Sequence, residues 1–170
     1  MNAPPLSFET IDLAAHAELC LAFRRDSYVC SFGSAERFVE EQGPEGYLEW
    51  LRGRIADQPL GHVHVWQGSQ IIGQLEMRTL PPPPPARGYV NLFYLVPAVR
   101  GSGAGRALQQ YASEFMRNAG VERVYLSVSP SNLRALAYYK KFDWRDLGPS
   151  PRDASCQLLE LDLSPLSATW

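Results

Sequence analysis

The rhythm of apolar and polar residues changes several times along the chain. Leu6 to Leu13 reads as a short first strand. From Ala14 to about Ser27, Leu19, Ala22 and Phe23 recur at helical intervals, and further on Tyr47, Leu48, Leu51 and Ile55 fall on one helical stripe. Gly43-Pro44 divides that second helical region into two pieces. His62-Val63-His64-Val65-Trp66 then alternates, Gly68-Ser69 supplies a turn, and Ile71 to Arg78 resumes as a strand, so a hairpin is predicted. On its second strand Gln74, Glu76 and Arg78 share a face.

Tyr89 to Val96 is apolar on both faces apart from Asn91, the pattern of a central strand covered on both sides. Pro97 ends it. A glycine-rich loop, Gly101 to Gly105, leads into a helix reaching about Ala119, with Leu108, Tyr111, Ala112 and Phe115 inward and Gly120 as its stop. Val121 to Val128 reads as a strand. Ser131 or a neighbour caps a helix through Lys141, and two last strands follow near Trp144 and from Gln157 to Leu163. Pro81 to Pro85 favours a stiff polyproline II connector between strands over helix or sheet.

Composition narrows the function. With 170 residues, 45% of them hydrophobic, the chain can bury one sizeable core, and one domain over 1–170 is expected. A net charge of -2, with no cluster of Lys or Arg, speaks against nucleic acid or anionic lipid as the main partner. Cys20, Cys30 and Cys156 are odd in number, lie far apart and have no C-x-x-C spacing, so neither a disulfide framework nor a metal site is expected and a reducing cytoplasm fits. The N-terminus has no basic segment followed by an apolar run, and no stretch is apolar enough to span a bilayer.

The segment Arg100-Gly101-Ser102-Gly103-Ala104-Gly105-Arg106 joins the strongest strand to a well-patterned helix. The first N–H groups of a helix lack intrahelical partners and the dipole places positive charge there, so a pyrophosphate is well matched. Arg100 and Arg106 flank the loop and could add charge-assisted bonds. A Walker A loop is excluded because no lysine stands at the required position. A dinucleotide fingerprint would need glycine in place of Arg106 and a preceding parallel unit. Taken alone, G-x-G-x-G also fits a flexible loop without a ligand.

Leu95-Val96-Pro97-Ala98-Val99-Arg100-Gly101-Ser102-Gly103-Ala104-Gly105 resembles the acyl-CoA-binding motif of the GNAT superfamily of N-acetyltransferases, V-x-P-x-x-[R/Q]-x-x-G-x-[G/A], with Leu95 for the common valine. Asn132-Leu133-Arg134-Ala135-Leu136-Ala137-Tyr138-Tyr139 is similar to the family's N-x-x-A-x-x-x-Y helix, and the likeness runs from about residue 61 to 147. It implies an α/β (α+β) fold: a mixed, mostly antiparallel sheet of about six to seven strands, splayed at the central strand and flanked by about four helices. Asp143-Trp144 stands where the family usually has Gly-Phe, and Asp tolerates the left-handed turn better than most residues.

The resemblance also implies chemistry: acetyl-CoA or another acyl-CoA as co-substrate, no metal, and direct attack of an amine on the thioester within a ternary complex. Leu95, Val96, Arg100 to Arg106 and Asn132 would hold the cofactor, with a bulge and an oxyanion-binding N–H at Leu95 or Val96. Tyr139 would face the sulfur and protonate the leaving thiolate, although its spacing also suits an ordinary core tyrosine. Glu76 is the leading candidate for the general base, with His62, His64 or an ordered water as alternatives. A small-molecule or peptide amine is the expected acceptor. A non-catalytic acyl-CoA-binding domain is the alternative, and exposed edge strands make a homodimer a candidate assembly.

Overall fold

The computed structural model describes residues 4–80 and 86–164. The expected connector Pro81 to Pro85 and the end of the tail lie outside them. Among the described residues seven strands form one sheet in the order β1-β2-β3-β4-β5-β7-β6. They are β1 (Leu6–Thr10), β2 (His62–Gln67), β3 (Gln70–Leu80), β4 (Arg87–Leu95), β5 (Arg123–Val128), β6 (Arg145–Pro149) and β7 (Gln157–Asp162). Every neighbouring pair is antiparallel except β4 with β5, which is parallel.

Among the described residues five α-helices, rather than about four, accompany the sheet: α1 (Leu13–Phe32), α2 (Glu36–Glu41), α3 (Gly43–Asp57), α4 (Ala104–Asn118) and α5 (Leu133–Lys141). The first begins because Asp12 accepts a hydrogen bond from the Ala15 N–H, which also ends β1 earlier than expected. It runs beyond Ser27 until Gly33, at φ 81°, takes the left-handed cap and donates to the Val29 carbonyl. Gly43, at φ 74°, then sets α3 apart from α2. Asp143 does adopt the left-handed conformation, at φ 68°, so the turn after α5 survives without glycine.

The sheet is covered on both faces. On one, Leu75, Met77 and Val90 pack with Leu108, Ala112 and Met116 of α4. On the other, α1, α2 and α3 enclose Ile11, Cys20, Leu21, Phe38, Tyr47 and Leu51, and Phe23 of α1 packs on Leu92 and Tyr94. Burying each large apolar side chain contributes about 1.5–3 kcal/mol.

Val90 and Leu92 therefore face opposite sides of the sheet, although two residues apart a regular strand would put them on the same side. The register explains it. Glu76 pairs with Leu92 and Met77 with Val90, so Asn91 is an extra residue on β4. A bulge was expected at Leu95 or Val96; it lies at Asn91, nearer the middle of the strand.

Candidate functional site

β4 and β5 pair only from Arg87–Tyr89 to Arg123–Tyr125. Beyond Tyr89 the strands part and open a cleft of about 780 Å³, lined by β4, the end of β5, α5 and the C-terminal half of α1. The Val96 N–H donates to the Ile72 carbonyl at 2.8 Å and is taken. Since backbone groups alternate in direction along a strand, the N–H groups of Leu95 and Phe93 turn away from β3 into the cleft. The Leu95 carbonyl points the same way and accepts from Arg100 Nε at 2.9 Å. Of the two expected oxyanion donors, the Leu95 N–H is thus directed into the cleft and the Val96 N–H is bonded to β3. Phe93 was not anticipated, because the bulge that sets its phase leaves no mark in an apolar run.

The glycine loop meets this cleft at the start of α4. Gly101 and Gly103 have φ of 80° and 94°, which side chains rarely adopt. Gly103 is the N-cap and supplies no side-chain acceptor, whereas Asp12 and Asn132 cap α1 and α5. The N–H groups of Ala104 and Gly105 consequently have no acceptor within their helix, and the dipole adds positive potential. The Ser102 hydroxyl folds back onto the Val99 carbonyl at 2.5 Å. Gly105 is required for packing: a Cβ there would stand 2.7 Å from the Tyr138 ring, whose hydroxyl donates to the Gly105 carbonyl at 2.6 Å.

The two flanking arginines are otherwise engaged. Arg100 reaches Leu95 and pairs with Asp26 at 3.1 Å, fastening the loop to α1. Arg106 lies over the Phe142 ring, on a shallow depression outside the main cleft. The backbone N–H groups at the start of α4 are the donors left open.

Tyr139 lines the cleft from α5, 8% exposed, with its ring against Phe93 and Trp144. Its hydroxyl makes no hydrogen bond among the described residues. Burial, then the neighbouring Tyr138, raises its pKa above the usual phenol value, so it stays protonated at neutral pH. Asn132 precedes α5 instead of lying on its face: Oδ1 accepts from the Ala135 N–H at 3.2 Å and Nδ2 approaches Ser31 Oγ at 3.5 Å.

Glu76 does not line the cleft. It is fully buried between β3, α1 and α3, accepting from Tyr47, from Gln74 Nε2 at 2.7 Å and from Arg24 Nη1 at 3.3 Å. As Gln74 donates from Nε2, its Oε1 must accept, so His64 Nε2, 2.8 Å away, carries the proton. His62 Nδ1 bonds the Gln58 carbonyl at 2.9 Å. Burial lowers the pKa of both histidines. All three expected bases belong to a polar layer closed behind the wall of the cleft.

Arg24 belongs to that layer and also to the cleft wall. Further out, Arg37 of α2 bonds Asp153 at 2.6 Å and Glu41 at 2.9 Å, tying the helical side to the loop before β7. Ser155 and Arg37 hold the Asp153 carboxyl well below the usual range. Cys20 and Cys156 are buried and Cys30 is exposed, all as free thiols. Among the described residues, no helix is long and apolar enough to cross a membrane.

Residues 20–144 match the model of the acetyltransferase (GNAT) family. Among solved structures, PaiA N-acetyltransferase of Thermoplasma acidophilum, in complex with coenzyme A, superposes with a TM-score of 0.76 at 18% identity, covering 93% of this chain and 99% of that one. An acetyltransferase of Thermus thermophilus gives 0.71 at 20% identity, covering 95% and 99%. The aminoglycoside acetyltransferase AAC(6')-Ib, in complex with coenzyme A, gives 0.69 at 16%, covering 93% and 95%.

Proposed function

The chain belongs to the GNAT family of acetyltransferases, and from that premise we propose that it transfers an acetyl or other acyl group from acyl-CoA to a primary amine, small molecule or peptide, by direct attack in a ternary complex. The observation that carries the reading is the cleft itself. It runs from an uncapped helix N-terminus, past the inward N–H groups of Leu95 and Phe93, to the unbonded hydroxyl of Tyr139.

The first turn of α4 and the glycines hold the pyrophosphate. As the amine nitrogen bonds to the thioester carbon, the N–H of Phe93 or Leu95 stabilises the carbonyl oxygen, which carries the developing charge. When the C–S bond breaks, Tyr139 gives its proton to the thiolate. With Glu76, His62 and His64 behind the wall, an ordered water is the candidate that takes the amine's proton. None of the three bases expected from the sequence lines the cleft, and the carboxylates that do, Glu41 and Asp153, are paired with Arg37, which favours the second reading, a domain that binds acyl-CoA without transfer.

Calorimetry with acetyl-CoA tests the cradle on wild type, Gly103→Ala and Gly103→Glu. Both variants share the strain of a side chain at φ 94°, so the difference between them reads the effect of the added negative charge. Micromolar binding by wild type, lost in Gly103→Glu and largely kept in Gly103→Ala, is expected. Thiol release with an amine panel then separates the enzyme from the non-catalytic binder. A folded wild type that binds neither acetyl-CoA nor longer acyl-CoAs would overturn the proposal.

A further inference from the structure

Three arginines gather at the end of the cleft remote from the glycine loop, and none of them forms an ion pair among the described residues. Arg78 follows Glu76 by two residues on β3, so it shares the face toward α1 and α3, and it pairs in register with Tyr89 of β4. Its guanidinium lies over the Tyr89 ring, 5.9 Å from the centroid. Its Nε is buried and closed off, while Nη1 and Nη2 make no hydrogen bond among the described residues.

Two links bring Arg54 and Arg152 toward it. Gln58, the C-cap of α3 one turn beyond Arg54, donates to Thr79 Oγ1 at 2.9 Å and accepts from the Thr79 N–H at 2.8 Å, which pins the end of α3 next to Arg78. On the other side the Tyr89 hydroxyl donates to Ser127 Oγ at 3.2 Å, and Ser127 bonds Ser150 Oγ at 3.3 Å, two residues before the exposed Arg152. Arg78 senses both charges: burial, then Arg54, then Arg152 lower its pKa below the usual guanidinium value.

Guanidinium groups repel one another, and elsewhere in this region carboxylates answer them. Asp153 pairs with Arg37, and Glu160 with Arg123 and Arg145. The three at this corner keep an uncompensated positive charge, the setting in which arginine recognises carboxylate or phosphate oxygens.

The corner adjoins the path of the acceptor. Tyr139, Phe93 and Leu95 pack with the α4 and α5 side of the sheet, so a thioester held beside Tyr139 is approached from the α1 side, the face that Arg78 and Tyr89 share. Tyr89 and Ser127 line the cleft and lead from it to the arginines. Phe93 pairs with Leu75 and Tyr89 with Arg78, three residues apart on β3, the strand without the extra residue, which makes roughly 10 Å. An extended chain of about eight bonds, the count from the amino nitrogen to the carboxyl carbon of a tripeptide, covers roughly that distance.

Resting on the acyltransferase reading, we infer that Arg54, Arg78 and Arg152 form an acceptor subsite for an oxyanion, carboxylate or phosphate, carried about eight bonds from the amine that is acylated. A free α-amino acid is too short to engage it, an alkylamine brings no anion, and a diamine brings the wrong charge.

The experiment measures thiol release from acetyl-CoA with ω-amino carboxylates and ω-aminoalkyl phosphates of graded length, beside alkylamines and diamines of the same lengths. Anionic acceptors near about eight bonds should show kcat/KM at least about tenfold above the alkylamine of equal length, and chains of about three bonds should show no such gain. Whichever anion is better identifies the oxyanion. In Arg78→Gln the preference should fall to within about threefold, through KM more than kcat, with the Kd of acetyl-CoA unchanged. Arg152→Gln, at an exposed position, should lower the preference at least about threefold and serves if the Arg78 variant does not fold. No preference for anionic acceptors, a preference equal at all lengths, one that survives both variants, or no release from any of these acceptors by enzyme that binds acetyl-CoA would each overturn the inference. Failure to bind acetyl-CoA would instead count against the acyltransferase reading.

Discussion

Two regions flank β4, both rich in polar groups, and they differ in how completely those groups are bonded. Toward α1 and α3, Glu76, Gln74, Tyr47 and His64 form a layer in which the carboxylate accepts from three donors and each member holds the next. Toward α4 and α5, the Tyr139 hydroxyl, the inward N–H groups of Phe93 and Leu95 and the first turn of α4 wait for partners. Burial alone would not separate the regions, since Tyr139 is only 8% exposed. Saturation does. A closed polar layer fixes the positions of helices against a sheet, whereas polar groups left open at a cleft are available to a ligand. Arg24 belongs to both, with one end in the layer and the other in the cleft wall.

The contrast is broken most forcefully by Glu76→Ala. The change leaves Arg24 without its carboxylate in a site where water hardly reaches, and removing one partner of a buried pair costs about 3–5 kcal/mol. Urea unfolding should show a loss of that size, with α1 loosened from the sheet. A loss below about 1 kcal/mol, the scale of an exposed pair, would mean that the layer is not structural.

Tyr139→Phe should do the reverse. The hydroxyl has no partner to lose, so stability should stay within about 0.5 kcal/mol of wild type. Turnover should fall about a hundredfold, within the range of a lost general acid, while the Kd of acetyl-CoA changes less than about twofold. Unchanged turnover would remove Tyr139 from the acid role, and a large stability loss would return it to the core.

The sequence carried much of the open region and little of the closed one. The strand Tyr89 to Val96, the glycine loop and the helix after it are contiguous, and their local patterns were enough to place them. The left-handed turn at Asp143 could be read from the family's Gly-Phe pattern there and from the tolerance of Asp for that conformation. The closed layer depends on partners distant in sequence: Arg24 meets Glu76 across 52 positions and Tyr47 meets Glu76 across 29. The bulge was misplaced for another reason. Where both faces of a strand are apolar, inserting one residue exchanges the faces without disturbing any visible alternation. The packing role of Gly105 escaped the sequence, because the neighbour that requires it, Tyr138, belongs to another helix.

The smallest expected effect, and the one that separates the two regions by pH, concerns the histidines of the closed layer. Burial lowers the pKa of His62 and His64 below the ordinary 6.5. The unfolded chain therefore takes up protons near pH 6.5 that the folded chain still refuses. Stability from these groups is fully present above that pH, and declines as pH falls through the ordinary value toward the lowered one. The urea midpoint should drop between pH 7.5 and 5.5. His64→Gln, whose amide can still donate to Gln74 but does not titrate, should shrink that drop while lowering the midpoint at pH 7.5 only slightly. Tyr139→Phe should leave the drop as it is, because a phenol held above its usual pKa stays neutral throughout this range. If His64→Gln left the drop unchanged, the acid sensitivity would have to arise elsewhere, and the closed layer would lose its titrating members as the cause.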